Sequence, residues 1–226
     1  LGSKFIGPII PVHDTLNEVF DLPVYRSIDT LPLTPDLAVI CSEPETIPDY
    51  VLDLGRRGVS GALIMSRGIE LLPTDVQIML KAAALSAARK HFMRLMGPGS
   101  LGFITPSIGI NASLAHTDAA PGKIAFITQS DALFTAVLDW ANSRSIGFSH
   151  FVSLGDPLDV GFGAILDLLS TDPGTRAILL YVESIRDARN FMSAARATAR
   201  NKPVLVIKAG ATAEAARGIR LPPGQA

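Results

Sequence analysis

The chain has 226 residues, of which 48% are hydrophobic and 18% are charged, and its formal net charge is −1. This composition excludes a disordered chain, and a charge so near zero provides no general field that would attract nucleic acid or an anionic membrane surface. The mean hydropathy of +0.34 is high, yet no apolar run reaches the roughly 18–20 residues that cross a bilayer. The single cysteine, Cys41, excludes an internal disulfide and favours a reducing, cytoplasmic setting.

Apolar runs that alternate with helical patterns dominate the chain. Strands are predicted at Phe5–Val12, Leu37–Cys41, Val59–Met65, Ile124–Thr128, Phe148–Leu154, Ala177–Val182 and Val204–Lys208. Helices are predicted at Thr46–Arg57, Thr74–His91, Asp131–Arg144 and Arg186–Arg200. Strands separated by helices of this length indicate right-handed βαβ units, so the predicted fold class is α/β with parallel sheets.

Local signals refine the boundaries of these elements. Gly58 is placed to end the first helix, and Gln77 stands three residues after Thr74, which is the spacing of a capping box. The stretch Leu95–Lys123 is rich in glycine, proline and small polar residues and shows little period, which predicts a linker or irregular crossover between two α/β halves. The first residue is not methionine and an apolar run follows almost at once, so we expect the N-terminal end to be truncated.

The turns after the predicted strands are the candidate ligand sites, because ligands of open parallel sheets bind at the carboxyl ends of the strands. These turns contain Pro44, Ser66-Arg67-Gly68, Gln129-Ser130-Asp131, Gly155-Asp156-Pro157 and Glu183-Ser184. Such residue types also occur in ordinary turns, so the pattern alone does not name a ligand. The chain contains neither G-x-G-x-x-G nor a Walker A sequence.

Other chemistry-bearing residues show no recognisable site pattern. The histidines at positions 13, 91, 116 and 150 lack the spacing of metal ligands, so no metal site is predicted. Cys41 ends an apolar strand and is expected to be a buried small hydrophobe. No nucleophile motif is present. The residues alone therefore predict a two-part α/β protein that could hold an anionic small molecule.

Asp131 raises a specific question about the turn Gln129-Ser130-Asp131. The N-terminus of a helix presents free N–H groups and a positive dipole end, which attract a phosphate. A carboxylate at the same place caps the helix and repels that phosphate. We therefore predict that Asp131 caps the helix that it begins, and that phosphate binding in this turn is weak or lost.

The segments together resemble a known superfamily. The stretch from "KFIGPIIPV" to "GVSGALIMSRGI" resembles the CoA-binding domain of the NDP-forming acyl-CoA synthetases, which include the succinyl-CoA synthetase α-subunit. The stretch from "LMGPGSLGFITP" through "FITQSDAL", "VSLGDP" and "LYVES" to "NKPVLVIKAG" resembles the flavodoxin-like CoA-ligase domain that follows it. The amino-acid sequence of the second stretch is most similar to the synthetase-like region of bacterial protein lysine acetyltransferases, and nearly as similar to ADP-forming acetyl-CoA synthetases.

The resemblance implies two Rossmann/flavodoxin-like domains in tandem. It places a CoA-binding domain at residues 1–96, truncated at its N-terminus, a flavodoxin-like CoA-ligase domain at 97–218, and a tail at 219–226. The first domain would contact the adenine and pyrophosphate end of CoA or acetyl-CoA through Pro11, Val12, Pro44, Ser66, Arg67 and Gly68. The thiol end would approach Gly97, Pro98, Gly99 and Ser100. A glutamate that matches Glu183 orients a phosphorylated histidine in active synthetases, and the anion turn Gln129, Ser130 and Asp131 would hold its phosphate.

The departures from the family pattern leave three functional hypotheses open. After Lys208-Ala209-Gly210 the chain has no Ser-His-Thr-Gly, so no catalytic histidine is assigned. The first hypothesis is a regulatory CoA- or acyl-CoA-binding region, most like a protein lysine acetyltransferase. The second is a fragment of an active ADP-forming acyl-CoA synthetase, and the third is a non-catalytic partner or sensor domain. ATP or ADP would act only through a missing ATP-grasp domain. Expected partners are a CoA thioester, an ATP-grasp or acetyltransferase domain and a possible second copy, but neither nucleic acid nor membrane.

Overall fold

The structure is a computed structural model, and it describes residues 5–210. The strands are β1 (Glu18–Val19), β2 (Leu22–Pro23), β3 (Leu37–Ile40), β4 (Gly61–Ile64), β5 (Arg94–Met96), β6 (Gly102–Thr105), β7 (Ile110–Ser113), β8 (Pro121–Thr128), β9 (Phe148–Ser153), β10 (Ala177–Val182) and β11 (Val204–Lys208). The helices are α1 (Ile47–Arg56), α2 (Thr74–Lys90), α3 (Asp131–Ser143), α4 (Phe162–Thr171) and α5 (Ala188–Ala199). Short 3₁₀ turns occupy several of the connections between these elements.

The first half is built on a three-stranded parallel sheet in the order β3-β4-β5. Alternate strand residues such as Ala62 and Ile64 form one buried cluster with Val51 of α1 and Ala84 of α2, so both helices cover the same face. Helix α1 ends as the sequence predicts. Gly58 has a φ of +90° and its N–H donates to the carbonyl of Gly55, while the next N–H returns to Leu54. This is the glycine-terminated end that only a residue without a Cβ adopts cheaply.

The second half is built on a six-stranded sheet in the order β11-β10-β8-β9-β6-β7. The four strands β8 to β11 are parallel, and the hairpin β6–β7 adds an antiparallel edge beside β9. Helix α3 covers one face through a cluster around Phe151, whose ring lies 4.7 Å from those of Phe134 and Phe148. Helices α4 and α5 cover the other face through Leu166 and Phe191. A parallel sheet with helices on both faces confirms the predicted α/β class.

Several predicted elements are wrong or incomplete. The strand predicted at Phe5–Val12 does not form, and only Val12 makes an isolated bridge, with Tyr25. The region Leu95–Lys123 is not an irregular linker, because it contains β6 and β7, which are short strands with glycine and polar residues. The helix α4 was not predicted. The other predicted strands are present, two of them (Ala177–Val182 and Val204–Lys208) with the predicted bounds and the rest with ends shifted by one to three residues.

Two local expectations also need correction. The capping box does not form, because the side-chain amide of Gln77 donates to the carbonyls of Glu70 and Leu72 instead of reaching the helix start. Cys41 is exposed rather than buried, since it follows β3, which is an edge strand of the first sheet. None of the helices within residues 5–210 is both long and apolar enough to traverse a bilayer. The predicted tail 219–226 lies outside the described residues.

Candidate functional site

The turns that follow β4, β8 and β10 lie side by side at the carboxyl ends of the strands. The guanidinium Nη2 of Arg67 lies 2.9 Å from Oδ2 of Asp131, which joins the turn after β4 to the start of α3. The side-chain oxygen of Gln129 accepts hydrogen bonds from the backbone N–H groups of Glu183 (2.9 Å) and Ser184 (3.0 Å). The structure therefore brings the predicted turn residues of both halves to one site.

The start of α3 is capped by Ser130 and not by Asp131. Ser130 has an extended backbone conformation and its Oγ accepts the N–H of Leu133 at 3.4 Å, while its own N–H donates to Thr128 Oγ1 at 2.8 Å. Asp131 is the first helical residue, and its carboxylate turns away to Arg67. The prediction that Asp131 caps the helix is wrong, because the residue one position earlier has the backbone geometry that a capping side chain needs.

The anion-binding groups of the turn after β4 already face carboxylates of the same chain. Besides the pairing of Arg67 with Asp131, the N–H of Gly68 donates to both carboxylate oxygens of Glu70, at 3.2 and 3.3 Å. The side chains of Arg67 and Asp131 are 55% and 41% exposed. Ion pairs this exposed contribute only about 0–1 kcal/mol, so an incoming phosphate could displace these carboxylates at low cost.

The Gly97–Ser100 loop approaches the same turn, and only Gly99 in it is partly exposed. The N–H of Gly99 donates to the carbonyl of Ser66 at 3.3 Å. Ser100 is fully buried, and its Oγ donates to the carbonyl of Ser153 at 2.5 Å and accepts the N–H of Gly102 at 2.8 Å. At Gly99, no atom lies within 4 Å of the position that a Cβ would take. The loop therefore leaves open space at Gly99. The side chain of Ser100, which the sequence predicted to contact the ligand, instead forms hydrogen bonds within the fold.

A backbone seam joins this loop to the turn after β9. The N–H groups of Asp156, Leu158 and Val160 donate to the carbonyls of Pro98, Gly97 and Leu95 at 2.9, 3.1 and 2.9 Å. Gly155 has a φ of +62°, and a Cβ there would stand 2.4 Å from the oxygen of Pro98. The close approach of the two backbones therefore requires glycine at this position.

Asp156 links the two halves by charge as well. Its Oδ2 lies 2.8 Å from Nζ of Lys81 on α2, and its Oδ1 contacts the guanidinium of Arg186, just before α5. The sequence singled out the turn that contains Asp156, but it gave no signal for the two cations. Lys81 and Arg186 are 75 and 30 residues away along the chain, and only the fold brings them to the same carboxylate.

The remaining predicted site residues differ in their placement. Pro44 is buried and lines a void of about 10 Å³ with Lys81 and Pro98. Pro11 and Val12 pair with Tyr25, and no hydrogen bond or ion pair within residues 5–210 joins them to the other site residues. Glu183 is exposed, and its carbonyl accepts a hydrogen bond from Lys208 at 2.7 Å.

A separate groove lies at the opposite, amino ends of the parallel strands. It has a volume of about 410 Å³ and is lined by Asp172, Arg176 and Lys202, among others. The ammonium of Lys202 already has hydrogen-bond partners, because it donates to the carbonyls of Leu169 and Asp172 at the end of α4. The groove is polar and open, and it contains none of the predicted site residues. We therefore place the candidate site at the carboxyl ends despite the smaller void there.

Asp172 belongs to a hydrogen-bonded group beside that groove. Burial raises the pKa of Asp172, but hydrogen bonds from Thr175 and Gly174 and the neighbouring His150 lower it, and the pKa lies below its ordinary value. His150 Nε2 lies 3.3 Å from the carboxylate, and its Nδ1 lies 3.2 Å from the hydroxyl of Thr105. Within the described part of the chain, no group of three or more His, Cys, Asp or Glu side chains is arranged to hold a metal ion.

The sequence matches two family models in tandem. Residues 5–106 match the model described as "CoA binding domain", and residues 121–224 match that described as "Succinyl-CoA ligase like flavodoxin domain". The chain is 34% identical over 214 residues to acetate–CoA ligase [ADP-forming] I of Archaeoglobus fulgidus, covering 95% of this chain and 31% of that protein. It is also 34% identical over 215 residues to acetate–CoA ligase [ADP-forming] I subunit alpha of Pyrococcus furiosus, covering 93% and 46%.

A solved structure shows the same architecture. The dinucleotide-forming acetyl-coenzyme A synthetase 1 of Ca. Korarchaeum cryptofilum, in complex with phosphate and ADP, superposes with a TM-score of 0.87 at 31% identity, covering 95% of this chain and 46% of that one. The chain thus spans less than half the length of these relatives. They support the synthetase alternative and leave the acetyltransferase resemblance without support. The chain contains a CoA-binding domain followed by a succinyl-CoA ligase-like flavodoxin domain, and its homologues are ADP-forming acetyl-CoA synthetases.

Proposed function

We propose that this chain is the CoA- and acyl-CoA-binding part of an ADP-forming acyl-CoA synthetase. The observation that carries the proposal is the contact between Arg67 and Asp131, because it brings the ligand turn of the CoA-binding domain to the first turn of the flavodoxin-like domain. A ligand that lies across two such turns contacts both domains at once. Relatives that match over almost the whole chain include ADP-forming acetate–CoA ligases, which supports this assignment.

The described residues fit the chemistry of a CoA thioester. Arg67 supplies a half-exposed guanidinium for a phosphate, and Gly68 supplies a backbone N–H once Glu70 is displaced. The open space at Gly99 leaves room for a narrow chain to pass close to the backbone. When bound, CoA supplies the thiol that accepts the acyl group. In that arrangement this chain binds the phosphate, orients the thioester arm and holds its two domains in a fixed position relative to each other.

The adenine nucleotide and the phosphoryl-carrying histidine belong to other parts of the enzyme in this proposal. The chain contains no Ser-His-Thr-Gly sequence, and one relative is named as an alpha subunit, which supports pairing with a second, nucleotide-binding domain or subunit. Glu183 then faces that neighbour, since it is exposed and its backbone is anchored at both the N–H and the carbonyl.

Calorimetric titration of the chain with CoA and with acetyl-CoA, up to millimolar ligand, tests the proposal. We expect saturable binding of both, weakened at least fivefold in Arg67→Ala. The matched control is Arg56→Ala, which removes an exposed arginine whose ion pair within residues 5–210 is with Asp53 of the same helix. Absence of binding to the folded chain, or equal binding by all three proteins, would contradict the assignment of Arg67.

One observation favours a second candidate, a non-catalytic acyl-CoA sensor. Asp131 places a carboxylate at the helix start that would otherwise be free to hold a phosphoryl group. Incubation of the full-length protein with γ-labelled ATP and CoA separates the two functions. An acid-labile label on histidine supports the synthetase, whereas CoA binding without any label supports the sensor.

A further inference from the structure

Helix α2 carries an apolar surface that the described chain leaves uncovered. Its inner face packs on the first sheet through Ala84, Ala87 and Ala88. On the opposite face, Ile78 and Met79 are 64% and 60% exposed, and Leu71, in the turn before the helix, is 84% exposed. Surface helices normally present polar residues outward. An apolar face of this kind is typical of a protein–protein contact.

Besides Thr74 and Lys90 at its two ends, α2 has seven exposed residues, which form one stripe with a distinctive order. From the beginning to the end of the helix they are Asp75, Ile78, Met79, Ala82, Ala83, Ser86 and Arg89. Asp75, Ala82 and Arg89 are seven residues apart, which keeps them on one side of a helix over four turns. Large side chains occupy the first half of the stripe and small ones the second half. We call this set of residues the α2 stripe.

We infer that the α2 stripe is the contact surface for a second copy of this chain, packed antiparallel about a two-fold axis near Ala82. In that arrangement, a residue that precedes Ala82 by a given number of positions faces the residue of the other copy that follows Ala82 by the same number. Ile78 faces Ser86 of the other copy, four residues to either side, and large side chains enter the space left by small ones. Asp75 faces Arg89 of the other copy, seven residues to either side.

Charge complementarity is what identifies the partner as another copy. Asp75 and Arg89 are both exposed, and neither forms an ion pair within residues 5–210. A parallel contact in register would bring like charges together and a shifted contact would leave them unpaired, whereas the antiparallel two-fold forms the pair between Asp75 and Arg89 of the other copy twice. It also places the positive dipole end of each helix beside the negative dipole end of the other. The stripe is therefore complementary to itself and needs no additional partner.

The contact has the size of a weak interface. A helix of 17 residues is about 25 Å long at 1.5 Å per residue, so a pair of such helices with Leu71 reaches only the low end of specific interfaces. We therefore expect a dimer that dissociates on dilution. The stripe lies on a different side of α2 from Lys81, which contacts Asp156, so dimerisation leaves the candidate site accessible.

Sedimentation velocity over a concentration series is the first test. We expect a monomer–dimer equilibrium whose dissociation constant rises at least tenfold in Ile78→Glu. The matched control is Leu168→Glu, which changes an equally exposed leucine on α4 (61%) and should leave the equilibrium unchanged. A parent protein that remains monomeric at every concentration would overturn the inference, as would equal weakening by the control.

Charge reversal and cross-linking test the two-fold geometry. Asp75→Arg and Arg89→Asp should each weaken the dimer, and the double variant should restore it, because the pair is reversed on both sides of the axis. In a Cys41→Ser background, Ala82→Cys should form a covalent dimer under mild oxidation, whereas Ser193→Cys on the exposed side of α5 should not. A double variant no better than the single variants, or equal cross-linking at both cysteines, would contradict the antiparallel arrangement.

Discussion

Arg67 and Asp131 form an ion pair of 2.9 Å between two turns that belong to different domains. The pair occupies the groups that would otherwise bind an anion in each turn. Asp131 places negative charge at the start of a helix, and the guanidinium of Arg67 pairs with that charge. The helix cap is provided independently by Ser130. We therefore expect a change at Asp131 to affect ligand binding more than it affects folding.

Replacing Asp131 by asparagine is expected to strengthen CoA binding about fivefold, because like charges at about 4 Å repel by roughly 1 kcal/mol or more near a surface. The free energy of unfolding should fall by less than about 1 kcal/mol, since the pair is exposed and the cap remains. Calorimetry and urea unfolding measure the two quantities. Asp167→Asn on the exposed side of α4 is the control. A large loss of stability with unchanged CoA affinity would show that Asp131 is structural.

Two glycines with nearly the same backbone conformation should respond differently to alanine. Gly99 and Gly155 have φ values of +67° and +62°, so both substitutions bear a left-handed cost of about 1–2 kcal/mol. Only at Gly155 would the new Cβ collide with the backbone, 2.4 Å from Pro98 O. Urea unfolding should show a loss of about 1–2 kcal/mol for Gly99→Ala and at least about 3 kcal/mol for Gly155→Ala. Equal losses would mean that the seam is not tightly packed.

The same pair of variants separates ligand binding from folding. Gly99→Ala fills open space beside the proposed thioester arm, so it should weaken acetyl-CoA binding while the protein stays folded. Normal acetyl-CoA affinity in Gly99→Ala would exclude the space at Gly99 as part of the binding site.

Asp156→Asn should destabilise the junction between the domains by about 1–2 kcal/mol, because Lys81, whose side chain is only 20% exposed, then loses its charged partner. Asp53→Asn is the matched control, since Asp53 pairs with Arg56 at the surface and should cost less than about 0.5 kcal/mol. Chemical unfolding followed by circular dichroism measures both. Equal losses of unfolding free energy in the two variants would show that the ion pairs of Asp156 stabilise the protein no more than an ordinary surface pair does.

Asp172 predicts a defined dependence of stability on pH. Its pKa in the folded chain lies below the ordinary value of 3.8, so the ionised carboxylate stabilises the fold above about pH 4, and this contribution is lost as the pH falls through the folded pKa. Asp172→Asn should therefore be less stable than the parent at pH 7, and the difference should shrink below pH 4. Unfolding measured from pH 3 to pH 7 tests this. A difference that is constant with pH would assign the effect to hydrogen-bond geometry alone.

The sequence predicted the strands of the parallel sheets well because they carry uninterrupted apolar runs. Ala177–Val182 and Val204–Lys208 were predicted with the bounds that the structure shows, although the second is a largely exposed edge strand. It failed at β6 and β7, where glycine and polar residues are stabilised by antiparallel pairing with β9 rather than by intrinsic preference. The apolar run at Phe5–Val12 has the composition of a strand but finds no partner strand in the described residues.

The candidate site was predictable only in part for a similar reason. The position of Arg67 and Asp131 in strand-ending turns follows from the alternation of elements, but their contact crosses 64 residues of sequence. Lys81 and Arg186 carry no local motif, and they reach Asp156 through the packing of separate helices. The assignment of the helix cap to Asp131 was wrong because two adjacent residues, Ser130 and Asp131, are both capable of capping and the backbone angles decide between them.

Amide hydrogen exchange with and without saturating acetyl-CoA tests the central claim most directly. If CoA binds across the two domains, exchange should slow in residues 66–68, 97–100 and 129–131, and it should not change in residues 170–176 and 201–202, which line the groove at the opposite ends of the strands. Protection confined to that groove, or no protection at a concentration that saturates calorimetric binding, would contradict the proposed site.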